Sequence, residues 1–127
     1  MHSSGKTKPH RRLRILVVDD NIDQVHTIAY LLKDRGHHVD YAINGIVALD
    51  LAQRTKPEVV LLDVKLPDTS GLELARQFRR NPELKGVRII GITATPLSSE
   101  DALAAGFDEL HKKPLDPRLL DALLEQR

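Results

Sequence analysis

Apolar residues are spread along this chain in two rhythms, short unbroken runs and helical stripes, and the two alternate. Leu13–Val18, Val59–Leu62 and Val87–Ile92 are nearly continuous runs rich in Val, Ile and Leu. Runs of that length read as strands buried on both faces, as in a parallel sheet covered by helices. Val39–Ile43 reads as a further short strand, and "FDELHK" as a weaker fifth. Between the runs, Ile22, Val25, Ala29 and Leu32 recur at helical spacing, and Gly36 stops that helix. "NGIVALDLAQRTKP" predicts a second helix, opened by Asn44 or Gly45 and closed before Pro57. A loop with Pro67 and Gly71 follows the third strand. Leu74, Ala75 and Phe78 then share one face of a helix in "LELARQFRR". "SSEDALAAG" is a weaker helix with Ser98 or Ser99 as its cap. Asp116 before Pro117 predicts the start of a fifth helix, whose buried stripe is Leu119, Leu120, Leu123 and Leu124.

Five β/α units in this order predict an α/β fold, a flavodoxin-like doubly wound (βα)5 sandwich with a parallel five-stranded sheet in the order 2-1-3-4-5. Ligands of such sheets bind at strand C-terminal ends, at the switch point between strands one and three. Asp19 and Asp20 directly follow strand one, and Asp63 directly follows strand three. Carboxylates gathered there repel each other unless a cation shares the site. A hard divalent ion such as Mg²⁺ suits them, since it takes oxygen ligands from one or two carboxylates with waters and phosphate oxygens. Thr93 ends strand four and Lys113 ends strand five, and in this topology both project toward the same edge. A hydroxyl can donate to a phosphate oxygen and an ammonium can offset its charge. A metal, a carboxylate nucleophile, a hydroxyl and a lysine together describe an aspartyl-phosphate site.

On these residues the chain resembles the receiver domain of two-component response regulators. "LVVDDN" is similar to the family's acidic pair, and "LLDVKLPDTSG" to its phosphoacceptor motif, with Pro and Gly at the usual offsets. Thr93–Ala94 fits the hydroxyl followed by a small residue, and "KPLDP" the Lys-Pro pair. The stretch "GFDELHKKPLDPRLLDALL" is also similar to receivers fused to hybrid histidine kinases. The resemblance spans about residues 13–125. It implies that Asp63 accepts a phosphoryl group, with Thr93 bonding a phosphoryl oxygen and Lys113 pairing with the group. It also implies Mg²⁺ held by Asp20, by Asp63, by Asp19 mainly through water, and by the main-chain carbonyl of Lys65. The implied donor is a phosphohistidine on a histidine kinase or histidine phosphotransfer protein. The implied output is a protein contact through the face of helix four, strand five and helix five.

Two positions depart from the family pattern. Its commonly aromatic switch position, three residues before the Lys, is Leu110, which has no ring hydroxyl to couple to Thr93. Strand five carries His111 and Lys112 where the family is usually apolar. The position two after Asp63 varies in the family and is here Lys65, whose side chain can reach over a phosphoryl group and change its lifetime.

Composition narrows the alternatives. The 127 residues suit one domain, and the absence of Cys excludes disulfides, zinc–thiolate sites and thiol catalysis. No apolar run approaches a membrane span of about 18 residues, and the N-terminus lacks the apolar core of a secretory signal. A cytoplasmic setting fits. Residues 1–12 carry four basic and no acidic residues, against 15 basic and 18 acidic in the rest. They read as a flexible basic tail or linker ahead of a domain at 13–127. Two Phe, two Tyr and no Trp leave no stacking platform for nucleic acid. The chain ends with helix five, so no DNA-binding module is expected, and the leucine stripe leaves room for a homodimer. A phosphatase of related type needs an Asp where Lys65 stands, and a flavodoxin needs a hydroxyl-rich loop where Asp19, Asp20 and Asn21 stand. A scaffold that has lost its chemistry would not be expected to keep all five site residues. General enzymatic turnover is not expected. His37 and His38 follow Gly36 in a turn and are expected to be exposed, and His26 needs no role.

Overall fold

A computed structural model describes residues 12–116, 118 and 120–125. Five strands alternate with five helices: β1 (Arg14–Val18), α1 (Ile22–Asp34), β2 (His38–Ala42), α2 (Gly45–Thr55), β3 (Val59–Asp63), α3 (Gly71–Arg80), β4 (Arg88–Thr93), α4 (Ser99–Ala105), β5 (Glu109–Lys112) and α5 (Leu120–Glu125). The strands form one parallel sheet in the order β2-β1-β3-β4-β5, as the pattern predicts. The basic segment 1–12 lies outside the described residues except for Arg12, whose Nε donates to the Gly36 carbonyl at 2.8 Å.

Side chains of a strand alternate between the faces of its sheet, and here both faces are buried. Leu16, Val18, Val60, Leu62 and Ile89 meet Ala48, Ala52, Leu74, Phe78 and Ala102 on one side. Ile15, Val17, Leu61, Ile90 and Ile92 meet Val25, Ala29, Leu32, Leu120 and Leu124 on the other. That is why β1 and β3 lack the alternation of a half-exposed strand.

Helix starts follow local capping. The side chains of Asn21, Asn44, Ser70 and Ser98 accept amide hydrogen bonds from the first turns of α1, α2, α3 and α4. Each removes an otherwise unpartnered donor. Helix α5 is α-helical over Leu120–Glu125. The Asp116 carboxylate accepts the Arg118 amide two residues on, at 2.9 Å, the bond an N-cap makes to the second residue after it. Leu120 and Leu124 are buried as expected, whereas Pro117, Leu119 and the side chain of Leu123 lie outside the described residues.

Two polar residues hold the lower end of the sheet. His37 is buried, against expectation, because its Nδ1 accepts the Leu13 amide at 3.2 Å where β1 begins. Arg79, from the last turn of α3, donates to the carbonyls of Gly106, Lys85 and Val87 and to the Asp108 carboxylate. One guanidinium thus ties α3 to the connection ahead of β4 and to the C-terminal end of α4. His26 is exposed and rests edge-on against Tyr41, with ring centroids 5.4 Å apart.

Candidate functional site

Parallel register brings the ends of β1, β3, β4 and β5 to one rim of the sheet. Strands β3 and β4 each run one residue beyond the apolar run, so Asp63 and Thr93 are the last residues of their strands. Asp19 directly follows β1, where its amide donates to the Ala42 carbonyl at 3.2 Å. Lys113 directly follows β5, where its amide donates to the Thr93 carbonyl at 2.8 Å. Asp19, Asp63 and Thr93 are buried, and Asp20 is exposed at the mouth.

Lys113 joins the two buried carboxylates. Its Nζ lies 2.9 Å from Asp19 Oδ2 and 3.0 Å from Asp63 Oδ2. The other oxygens are bonded locally: Asp19 Oδ1 accepts the Asn21 amide at 2.9 Å, and Asp63 Oδ1 the Lys65 amide at 3.2 Å. Burial pushes the Asp63 carboxyl above the usual aspartate range and the Asp19 charge adds to this, while bonds from Lys113 and the Lys65 amide oppose it. Burial works against the Lys113 charge, but the bonds to Asp19 and Asp63 outweigh it and hold the ammonium above the usual lysine range.

Carboxylate oxygens of Asp19, Asp20 and Asp63 all lie within 4.8 Å of one another. Three hard oxygen donors at that separation fit one Mg²⁺, and they sit where the sequence places the metal site. Thr93 is brought to the same rim, but its hydroxyl donates to the Thr95 carbonyl at 2.9 Å and accepts the Thr95 amide at 3.1 Å. Lys65 is exposed, on the loop that leaves Asp63.

Leu110 packs against the core on the side of α3 and α4. It lies over Gly91, where an added Cβ would meet Leu110 Cδ1 and Phe107 Cδ1 at 2.8 Å. The polar character of β5 also has a structural cause. Glu109 and His111 share the opposite face of the strand. Glu109 accepts from Arg88 at 2.6 Å through Oε2 and meets His111 Nε2 at 3.1 Å through Oε1. Burial opposes the Glu109 charge, yet the bonds from Arg88 and His111 hold its carboxyl below the usual range.

The match of residues 15–125 to the response regulator receiver domain model decides the family. The chain belongs to the receiver domains of response regulators, in two-component signalling. This receiver is 30% identical over 112 residues to the polar-differentiation response regulator DivK of Brucella anthropi, covering 86% of the chain and 91% of the relative. It is 32% identical to part of the aerobic respiration control sensor protein ArcB of Escherichia coli, covering 93% of the chain and 15% of that sensor. Among solved structures, the chemotaxis protein CheY4 of Vibrio cholerae matches with a TM-score of 0.85 at 27% identity, covering 91% of the receiver and 98% of that chain. No helix among the receiver's described residues is long and apolar enough to cross a membrane.

Two contributors escaped the motif reading. Asn21 caps α1 and gives its own amide to Asp19, a role that cap preference alone would have suggested. Asp68 leaves the loop after β3 and bonds to α2. No local signal marks that contact.

Proposed function

We propose that this receiver takes a phosphoryl group onto Asp63 from the phosphohistidine of a histidine kinase or histidine phosphotransfer protein. An Asp63 carboxylate oxygen attacks phosphorus, the phosphorus–nitrogen bond breaks, and the imidazole leaves as the donor's neutral side chain after taking up a proton. The observation that carries this reading is the Asp63 carboxylate itself. It is buried at a strand end, 3.0 Å from Lys113 Nζ and within 4.8 Å of Asp19 and Asp20 oxygens.

Asp19, Asp20, Asp63 and the Lys65 carbonyl would hold Mg²⁺, which when bound supplies positive charge beside the acceptor oxygen and the phosphoryl oxygens. Lys113 keeps a second positive charge there, and phosphoryl transfer depends mostly on such positioning and charge. Thr93 turns its hydroxyl from the Thr95 carbonyl to a phosphoryl oxygen. A cleft of about 290 Å³ between α1 and the Pro114–Leu115 segment, opening beside Asp19 and Lys113, gives the donor side chain room. The product is a signalling state and not a released compound, and it is read by a protein partner at the face of α4, β5 and α5. The setting is cytoplasmic, where such kinases present their phosphohistidine.

Incubation with Mg²⁺ and acetyl phosphate tests the proposal by mass spectrometry. Wild type gains the mass of one phosphoryl group and Asp63→Asn gains none. An equal gain in both would move the acceptor elsewhere.

A further inference from the structure

The loop from Asp63 to α3 is closed at its base. Gly71 donates its amide to the Val64 carbonyl, and Lys65 bridges Ser70. A Cβ on Gly71 would stand 2.4 Å from the Asp63 carbonyl oxygen, so the start of α3 can press on the end of β3 only through a glycine.

The tip of the loop is fastened to a different part of the fold. Asp68 Oδ1 accepts the Gly45 amide at 2.8 Å, and Oδ2 accepts the Ile46 amide at 3.0 Å. Both amides belong to the first turn of α2, where a carboxylate also meets the positive end of the helix dipole. The Gly45 bond, with the Ile46 bond behind it, holds the Asp68 carboxyl below the usual aspartate range. Beside it, the Thr69 Cγ2 methyl lies 2.5 Å from where a Cβ on Gly45 would stand. Gly45 is therefore a socket by virtue of its size: two consecutive loop residues fit against it.

Helix capping alone does not require this arrangement. Asn44 already caps α2 through the Val47 amide at 2.9 Å. What the Asp68 bonds add is a fixed place for the loop, which carries the Lys65 carbonyl two residues beyond Asp63 at the end of β3.

We propose that Asp68 is a positioning residue, which clamps the loop between β3 and α3 to the first turn of α2 and so sets where the Lys65 carbonyl stands relative to Asp19, Asp20 and Asp63. The inference rests on the phosphoacceptor reading of Asp63. It places a determinant of Mg²⁺ affinity on α2, a helix that supplies no ligand.

The test uses the full chain with Gly45→Ala, Thr69→Ser, the double variant and Asp68→Ala. Mg²⁺ affinity is measured by calorimetry, adduct formation with acetyl phosphate by mass spectrometry, and folding by thermal melts. A Cβ on Gly45 displaces Thr69 and the tip of the loop. Gly45→Ala and Asp68→Ala should each need roughly tenfold more Mg²⁺ and form adduct more slowly, the lower end of the effect of losing a group that orients a metal ligand. Thr69→Ser should match wild type, because it removes only the crowding methyl. Gly45→Ala with Thr69→Ser should return most of the affinity, as the new Cβ then meets Asp68 oxygens at 3.4 and 3.6 Å, ordinary contact distances. A role confined to capping predicts the opposite for Gly45→Ala, since Ala favours helix over Gly. Unchanged Mg²⁺ affinity in Gly45→Ala, with its melt intact, overturns the positioning role. A wild type that binds Mg²⁺ but forms no adduct overturns the phosphoacceptor reading instead, while the Mg²⁺ arm still decides the clamp.

Discussion

The loops that follow β3 and β4 leave the sheet side by side and are held very differently. The loop after β3 is closed at its base by Gly71 and Lys65 and fastened at its tip by Asp68 to another helix. In the loop after β4, Ala94, Thr95 and Pro96 are exposed, and among the described residues the Thr93 hydroxyl bonds to Thr95 alone. Asp63, the proposed phosphoacceptor, is the last strand residue before the braced loop. Thr93, whose hydroxyl turns in the proposed reaction, is the last before the loose one. Rigidity is placed where preorganised charge matters, and freedom where a second arrangement is needed.

The largest expected effect lies on the braced side. Lys113→Ala removes the cation between two buried carboxylates and should cost about 3 kcal/mol of stability at neutral pH, the range for breaking a buried ion pair. Urea unfolding without divalent ions measures it, and added Mg²⁺ should recover part of the loss. A loss below about 0.5 kcal/mol, the size of an exposed pair, would mean that the acidic half is not braced by charge.

On the other side, Gly91→Ala asks whether looseness extends below the loop into the strands. The new Cβ would press on Leu110 and Phe107 at 2.8 Å. Overpacking of this kind costs about 2 kcal/mol. A melt like that of wild type would show that β4 and β5 yield as readily as the loop above them. The smallest effect belongs to Lys65, exposed on the braced loop. Lys65→Ala should hasten loss of the phosphoryl group roughly threefold, the rate effect of about 0.7 kcal/mol. Equal decay rates in a dephosphorylation time course would remove Lys65 from the site's control.

Much of this division is legible in the chain, because the signals for it are local or periodic. Doubly buried strands leave unbroken apolar runs, and the acids stand one or two residues beyond them. Asp19, Asp20, Asp63, Thr93 and Lys113 therefore reach one rim by topology alone. What escapes depends on partners distant in sequence. The bond from Asp68 to Gly45 spans 23 residues, and the burial of His37 depends on the Leu13 amide 24 residues earlier. The slot for Leu110 depends on a missing side chain in a neighbouring strand. Asp116 is legible for the opposite reason: its bond to the Arg118 amide spans only two residues.

The Arg79 guanidinium bears on how helix α4 can move. It grips the Gly106 carbonyl twice, at 2.9 and 2.6 Å, just past the last residue of α4. The other end of that seven-residue helix hangs from the loose loop. Pinned at Gly106, and with Ala102 and Ala105 buried in the core, the helix can tilt more readily than it can slide. At 1.5 Å of rise per residue the arm is about 10 Å long, so a tilt of a few degrees is felt most at Ser98 and least at Gly106. Any such tilt would have the guanidinium near its axis, on the side of the domain away from the acidic rim.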